Sequence, residues 1–171
     1  LMHYLTEGEC HFVLHNDLDL GQSLVKFLLQ MLRCLPLGDE TERLRVGLAL
    51  EEALSNAYYH GNLEVSSTDR KQFAEIARKR ELEAPYATRK IEVRANISRE
   101  QAVFVIRDEG PGYDAAAHQA GDQSISDQHA GRGLRLIRSV MDQVKFNEAG
   151  NEVTLVKQAI SDDEADADDE E

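Results

Sequence analysis

The chain has no tryptophan, three prolines, two cysteines and 6% aromatic residues in 171 positions. No apolar run approaches the roughly 20 residues that a membrane helix needs, so no membrane partner is expected. The start, "LMHYLTEGEC", has no basic stretch leading into an apolar block, which argues against a secretory signal. Cys10 and Cys34 match no metal-ligand spacing and no redox pair. They are expected to be reduced thiols in a cytoplasmic protein. No basic stripe is visible, so nucleic acid is not an expected partner. The start at Leu1 rather than Met leaves open that this is a piece of a longer chain.

What is present is acidic charge, unevenly spread. The formal net charge is −13, and the segment "SDDEADADDEE" over 161–171 accounts for eight of those charges, leaving −5. That segment has no apolar periodicity and is expected to be a disordered tail that solubilises the chain. A docking segment for a basic partner is the alternative. The rest, at 42% hydrophobic residues overall, is long enough to bury one core. One domain is expected over residues 1–160, with a charged insertion at about 62–89.

Along the chain, "CHFVLHN" (10–16) alternates as a strand does. Asn16 or Asp17 can cap a helix whose apolar residues run from Leu20 to Leu35 at helical spacing, stopped by Pro36 and Gly38. Asp39 or Thr41 starts a second helix that ends at Gly61. The insertion carries a charged helix with Phe73, Ile76 and Ala77 as its apolar stripe, ended by Pro85. "RKIEVRANI" and "AVFVIRDEG" read as a hairpin. A long Gly-, Ala-, Asp- and Gln-rich segment follows, of the length usually reserved for function. The helix "GLRLIRSVMDQV" and a second hairpin turning at 149–151 close the chain. The order β-α-α-insert-β-β-loop-α-β-β lacks the alternation of a parallel sheet. It predicts an α+β fold, a two-layer α/β sandwich with a mostly antiparallel sheet under three main helices.

Three motifs carry chemistry. In "EEALSNAYYHGN" (51–62), Glu52, Asn56 and His60 recur every four residues and share one helix face. An Asn oxygen suits a hard, hydrated cation such as Mg²⁺, and a carboxylate one turn earlier can take a proton. The bland alternative is a solvated helix face. His60 reads as bracing the helix end rather than reacting. In "RDEGPGYD" (107–114), a carboxylate at a strand end can accept from an exocyclic amine, and the glycines allow close approach of a flat ligand. A simple turn would have the same composition. In "AGRGLRLI" (130–137), Gly131 and Gly133 open a helix whose bare amides favour phosphate, with Arg132 and Arg135 adding charge. This is not a P-loop, since the Gly-Lys-Ser/Thr ending is missing.

In combination and in this order, the motifs resemble those of the Bergerat-fold ATPases, the superfamily of gyrase and the histidine kinases. The chain looks closest to the anti-sigma factor serine/threonine kinases. "EEALSNAYYHGN" is similar to their N box, "RDEGPGYD" to the G1 box and "GRGLRLI" to the G2 box. The resemblance covers roughly 10–158 outside the insertion. It implies ATP and Mg²⁺ as ligands, with Asn56 holding the metal and Glu52 as general base. It implies that Asp108 takes the adenine amino group while Gly110 and Gly112 shape that pocket. Residues 113–130 would be the ATP lid, and Gly131, Arg132, Gly133 and Leu134 would meet the phosphates. Where many members have Gly-Thr before the last strand, this chain has Gly150-Asn151, so Asn151 is the residue expected near adenine.

The function implied is transfer of the γ-phosphoryl of ATP to a Ser or Thr of an anti-sigma antagonist protein, with a sigma factor as second partner. The long insertion suits modules that work with response-regulator or phosphatase domains. A homodimer is a further expectation. Two alternatives differ in kind. One is the catalytic domain of a histidine kinase, although the first helix has no acceptor His. The other is a nucleotide-gated binding module without turnover.

Overall fold

The computed structural model describes residues 5–37, 39–66, 72–112 and 130–160. The expected lid up to residue 129, the acidic tail, Gly38 as a helix stop and residues 67–71 of the insertion lie outside them. Strand β1 (Glu7–His15) leads into helix α1 (Leu18–Met31), extended by a 3-10 turn at Leu32–Cys34. Helix α2 (Glu40–Asn56) runs on into a π-helical turn at Ala57–Asn62. The segment expected to be an insertion contributes α3 (Phe73–Arg80) and a 3-10 turn at Tyr86–Thr88. Strands β2 (Lys90–Ser98) and β3 (Gln101–Arg107), helix α4 (Ala130–Val140), and strands β4 (Gln143–Phe146) and β5 (Glu152–Gln158) complete the order.

The strands form one sheet in the order β1-β2-β3-β5-β4, each pair antiparallel. Alternation along β2 sends Ile91, Val93, Ala95 and Ile97 inward, and Val93 pairs with Ile106 across the register. Phe104 of β3 and Leu155 of β5 pair and are fully buried. Helices α1, α2 and α4 lay Leu28, Leu50 and Ile137 on that face. This is the two-layer α+β sandwich the element order predicts. Among the described residues no helix is long and apolar enough to cross a membrane.

Both predicted N-caps are in place. The Asp17 carboxylate accepts from the amides of Asp19 and Leu20, and that of Asp39 from Glu42 at 2.8 Å. Each cap satisfies amides that lack an intrahelical partner, typically worth about 1 kcal/mol. Helix α2 lies between α1 and α4, so it buries small residues on both sides, among them Ala49 and Ala53.

Gly61 is not a helix stop. The chain keeps winding through Asn62, and the Leu63 amide bonds back to the Tyr58 carbonyl, five residues earlier, at 2.9 Å. Wide turns of this kind are often found where function requires them. The end of the turn is held by residues of the 72–89 segment. Arg80 donates to the carbonyls of Leu63 (2.7 Å) and Glu64 (2.6 Å), the Tyr58 hydroxyl bonds Glu81, and the Tyr59 and Phe73 rings meet at 4.9 Å. Ala77 of the predicted stripe is buried, and Phe73 and Ile76 are partly so.

Candidate functional site

A cavity of about 410 Å³ opens between α2, its π-helical turn, α4 and the β3 and β5 strands. Ala53 and Ala57 of α2, Ile106 and Val153 of the sheet and Ile137 of α4 give it apolar walls. Asn56, His60, Asp108 and Asn151 supply polar groups along it. Apolar walls with a few placed polar groups are what a bound small molecule requires.

Asp108 follows the last residue of β3, where the chain leaves the sheet. Its amide donates to the Asn151 carbonyl at 3.0 Å, and its carbonyl accepts from the Asn151 side chain at 3.3 Å. The carboxylate accepts from the Gly110 amide at 2.8 Å. Burial pushes this carboxyl up to about 6, against the opposing pull of the Gly110 amide and of Arg89. A half-buried carboxylate with so few partners is ready to accept from a ligand.

The backbone around it is glycine for steric reasons. A Cβ on Gly61 would sit 2.5–2.6 Å from both carboxylate oxygens of Asp108. A Cβ on Gly110 would lie 2.8 Å from Asp108 Oδ1 and closer still to the Gly61 carbonyl. Gly112 has φ +77, and a Cβ there would run into the Ala149 carbonyl. These contacts bring the predicted Asp108 and Gly110 against Gly61 at the end of the first motif, and Gly112 against Ala149 in the turn before β5.

At the other end, α4 crosses α2. A Cβ on Gly133 would lie 2.5 Å from Glu52 Oε2 and 3.7 Å from Asn56 Nδ2, so both side chains face the same bare stretch of α4. Asn56 lines the main cavity. Glu52 borders a second cavity of about 240 Å³ between α1 and α2, together with Glu51, Gly21 and Gln22. Leu134 lines the main cavity, and Gly131 falls in the first turn of α4. Arg132 and Arg135 are exposed and not part of the cavity lining, since α4 turns residues 133, 134 and 137 toward α2 instead. Asn151 lines the cavity, but its side-chain oxygen accepts from Asn147 and its amide holds the Asp108 carbonyl. His60 Nδ1 lies 2.6 Å from the Val65 carbonyl, where it donates and braces the end of the turn.

Three residues take a place at the site that the sequence did not assign them. Gly61 lies against the Asp108 carboxylate. Arg89 bonds the Asn62 carbonyl and the Glu64 carboxylate, each at 2.7 Å. Asn62 is the one polar residue in the buried core among the described residues. Nothing local marks Arg89. The pair Gly61-Asn62 stood inside the quoted motif, but its meaning depends on a loop 47 residues away.

A two-layer sandwich whose sheet and helices enclose a cavity, with a carboxylate at one end and an amide beside a second carboxylate at the other, has the form of a small-molecule site. A family model described as the histidine kinase-like ATPase domain matches residues 15–157. The chain therefore belongs to the histidine kinase-like ATPase domain family and is an ATP-binding module. No curated protein matches it.

Proposed function

We propose that this ATP-binding module is a protein serine/threonine kinase of the anti-sigma factor type. It moves the γ-phosphoryl group of ATP to an antagonist protein and so regulates a sigma factor. The observation that carries the reading is the side-by-side placement of Glu52 and Asn56 against Gly133, with Asn56 and Asp108 both lining the main cavity. Asp108 accepts from the adenine amino group. The start of α4, at Gly131 to Leu134, lies along the phosphates. Asn151 keeps the Asp108 backbone in place rather than contacting the base through a free amide.

The donor set fits Mg²⁺. One amide oxygen with one carboxylate nearby suits a cation that keeps its waters and binds phosphate oxygens. Among the described residues no group of three or more His, Cys, Asp or Glu forms an all-protein metal cage. Asn56 would hold the ion, which when bound supplies charge neutralisation for the transferring phosphoryl group. Glu52 takes the proton of the acceptor hydroxyl as its oxygen bonds to the γ-phosphorus. The bond from that phosphorus to the β–γ bridging oxygen breaks, and ADP leaves with the electron pair.

The partners are an antagonist protein with an acceptor Ser or Thr and the sigma factor it releases. A response-regulator or phosphatase domain and a second copy of the chain are further candidates. The test is incubation with γ-labelled ATP, Mg²⁺ and lysate of the source cell, with Glu52→Gln alongside. An acid-stable labelled protein that requires Glu52 supports the reading. An acid-labile band means phosphohistidine and a histidine-kinase domain. ATP binding with no labelled band replaces the reading with a nucleotide-gated binding module.

A further inference from the structure

Asn62 closes the π-helical turn with no solvent exposure, and each of its side-chain groups has a partner. Its Oδ1 accepts from the Glu109 amide at 2.8 Å, and its Nδ2 donates to Asn16 Oδ1 at 2.6 Å. Asn16 in turn donates to the Tyr86 carbonyl at 2.9 Å. The chain of bonds starts on a backbone N–H and ends on a backbone C=O. Both amides can therefore be oriented in one way alone. The Asn62 carbonyl accepts from Arg89 at 2.7 Å. Glu109 is also tied by its side chain, which accepts from the Lys90 amide at 2.8 Å.

Glu109 lies between Asp108 and Gly110, the residues packed against Gly61. The bond from Asn62 thus falls in the middle of the loop that carries the Asp108 carboxylate. We infer that Asn62 is a positioning residue for the base end of the cavity. By holding the Glu109 amide it fixes the Asp108–Gly110 loop against Gly61, and this placement sets the discrimination between adenine and a 6-oxo purine. The inference rests on the proposed contact between Asp108 and the adenine amino group. A 6-amino group donates to the carboxylate. A 6-oxo group turns an acceptor toward it and leaves a buried oxygen without a donor, which is costly. That difference depends on a fixed carboxylate. If the loop relaxes, water enters, the carboxylate turns and the two bases bind alike.

The test is the ratio of ADP to IDP affinity, measured on the full chain with Mg²⁺ by titration calorimetry. A wholly structural role lowers the folded fraction and weakens both ligands together, leaving the ratio unchanged. Wild type should prefer ADP, and Asn62→Ala should narrow the ratio at least ten-fold. If Asn62→Ala does not fold, the half-buried Asn16 decides. Asn16→Ala frees the Asn62 amide and should narrow the ratio less, while Asn16→Asp keeps the acceptor oxygen and should restore it. An unchanged ratio in Asn16→Ala, and in Asn62→Ala where it folds, overturns the inference. Asp108→Ala separates the two levels. If it abolishes the preference while the Asn variants keep it, the role of Asn62 alone is wrong. If it leaves the preference intact, the reading of Asp108 fails and the inference falls with it.

Discussion

Gly61→Ala adds one methyl group where the structure has no room for it. The new carbon would lie 2.5 and 2.6 Å from the two Asp108 carboxylate oxygens, whereas ordinary heavy-atom contact is about 3.5 Å. About 1 Å of movement is needed. The carboxylate is held by the Gly110 amide, and the Asp108 backbone is held on both sides by Asn151. The turn cannot yield easily either, because Arg80 and Arg89 grip the carbonyls that follow Gly61. Overpacking of this kind costs about 1–3 kcal/mol. For a domain of this size that is a fall in melting temperature of roughly 3–10 °C. Affinity for ADP should drop at least ten-fold, because the group that must move is the one proposed to meet the base. Thermal unfolding and ADP titration read the two effects separately. The double variant Gly61→Ala/Asp108→Ala removes the obstacle, so it should regain most of the lost melting temperature relative to Asp108→Ala without regaining affinity. If Gly61→Ala melts and binds as wild type does, the packing argument for the base end is wrong.

Three other outcomes are expected. Asp108 has a folded value of about 6 against an ordinary 3.8, so the folded protein holds this proton more tightly than the unfolded chain. The resulting stability is present below about pH 4 and is lost as pH rises through about 6, a dependence that Asp108→Asn should abolish in unfolding experiments. Over the same range ADP affinity should rise with pH as the accepting carboxylate forms, and a flat profile in wild type would count against Asp108 as the acceptor. Asn56→Ala should remove the Mg²⁺ dependence of ATP affinity in calorimetry while leaving the melting temperature near wild type. Arg80→Ala removes two hydrogen bonds to carbonyls and a stack on Tyr86 at 5.0 Å, so it should destabilise by about 1–3 kcal/mol and make the 72–89 segment the first site of proteolysis.

The helices and hairpins were legible because they rest on local rules. Leu24, Leu28 and Met31 repeat at helical spacing, Asp17 and Asp39 can cap the turn that follows them, and β2 alternates in and out. That Glu52 and Asn56 share one face of α2 was readable for the same reason, since four residues is about one helical turn. The role of Gly61 was misread from sequence. A glycine after an apolar helix looks like a C-cap, yet here the glycine has ordinary negative φ and is required by a carboxylate 47 positions later.

The sequence alone determined the main elements, their order and the shared face of Glu52 and Asn56, because periodicity and capping act within a few residues; the expected closing helix, however, ran on to Val144, where Gln143–Phe146 is strand β4. Only the tertiary structure decided that β5 enters the sheet between β3 and β4, that Arg80 of α3 grips the end of the π-helical turn, and that Asn62 holds the loop bearing Asp108. Those outcomes depend on register, burial and steric exclusion between distant segments, which no local pattern encodes.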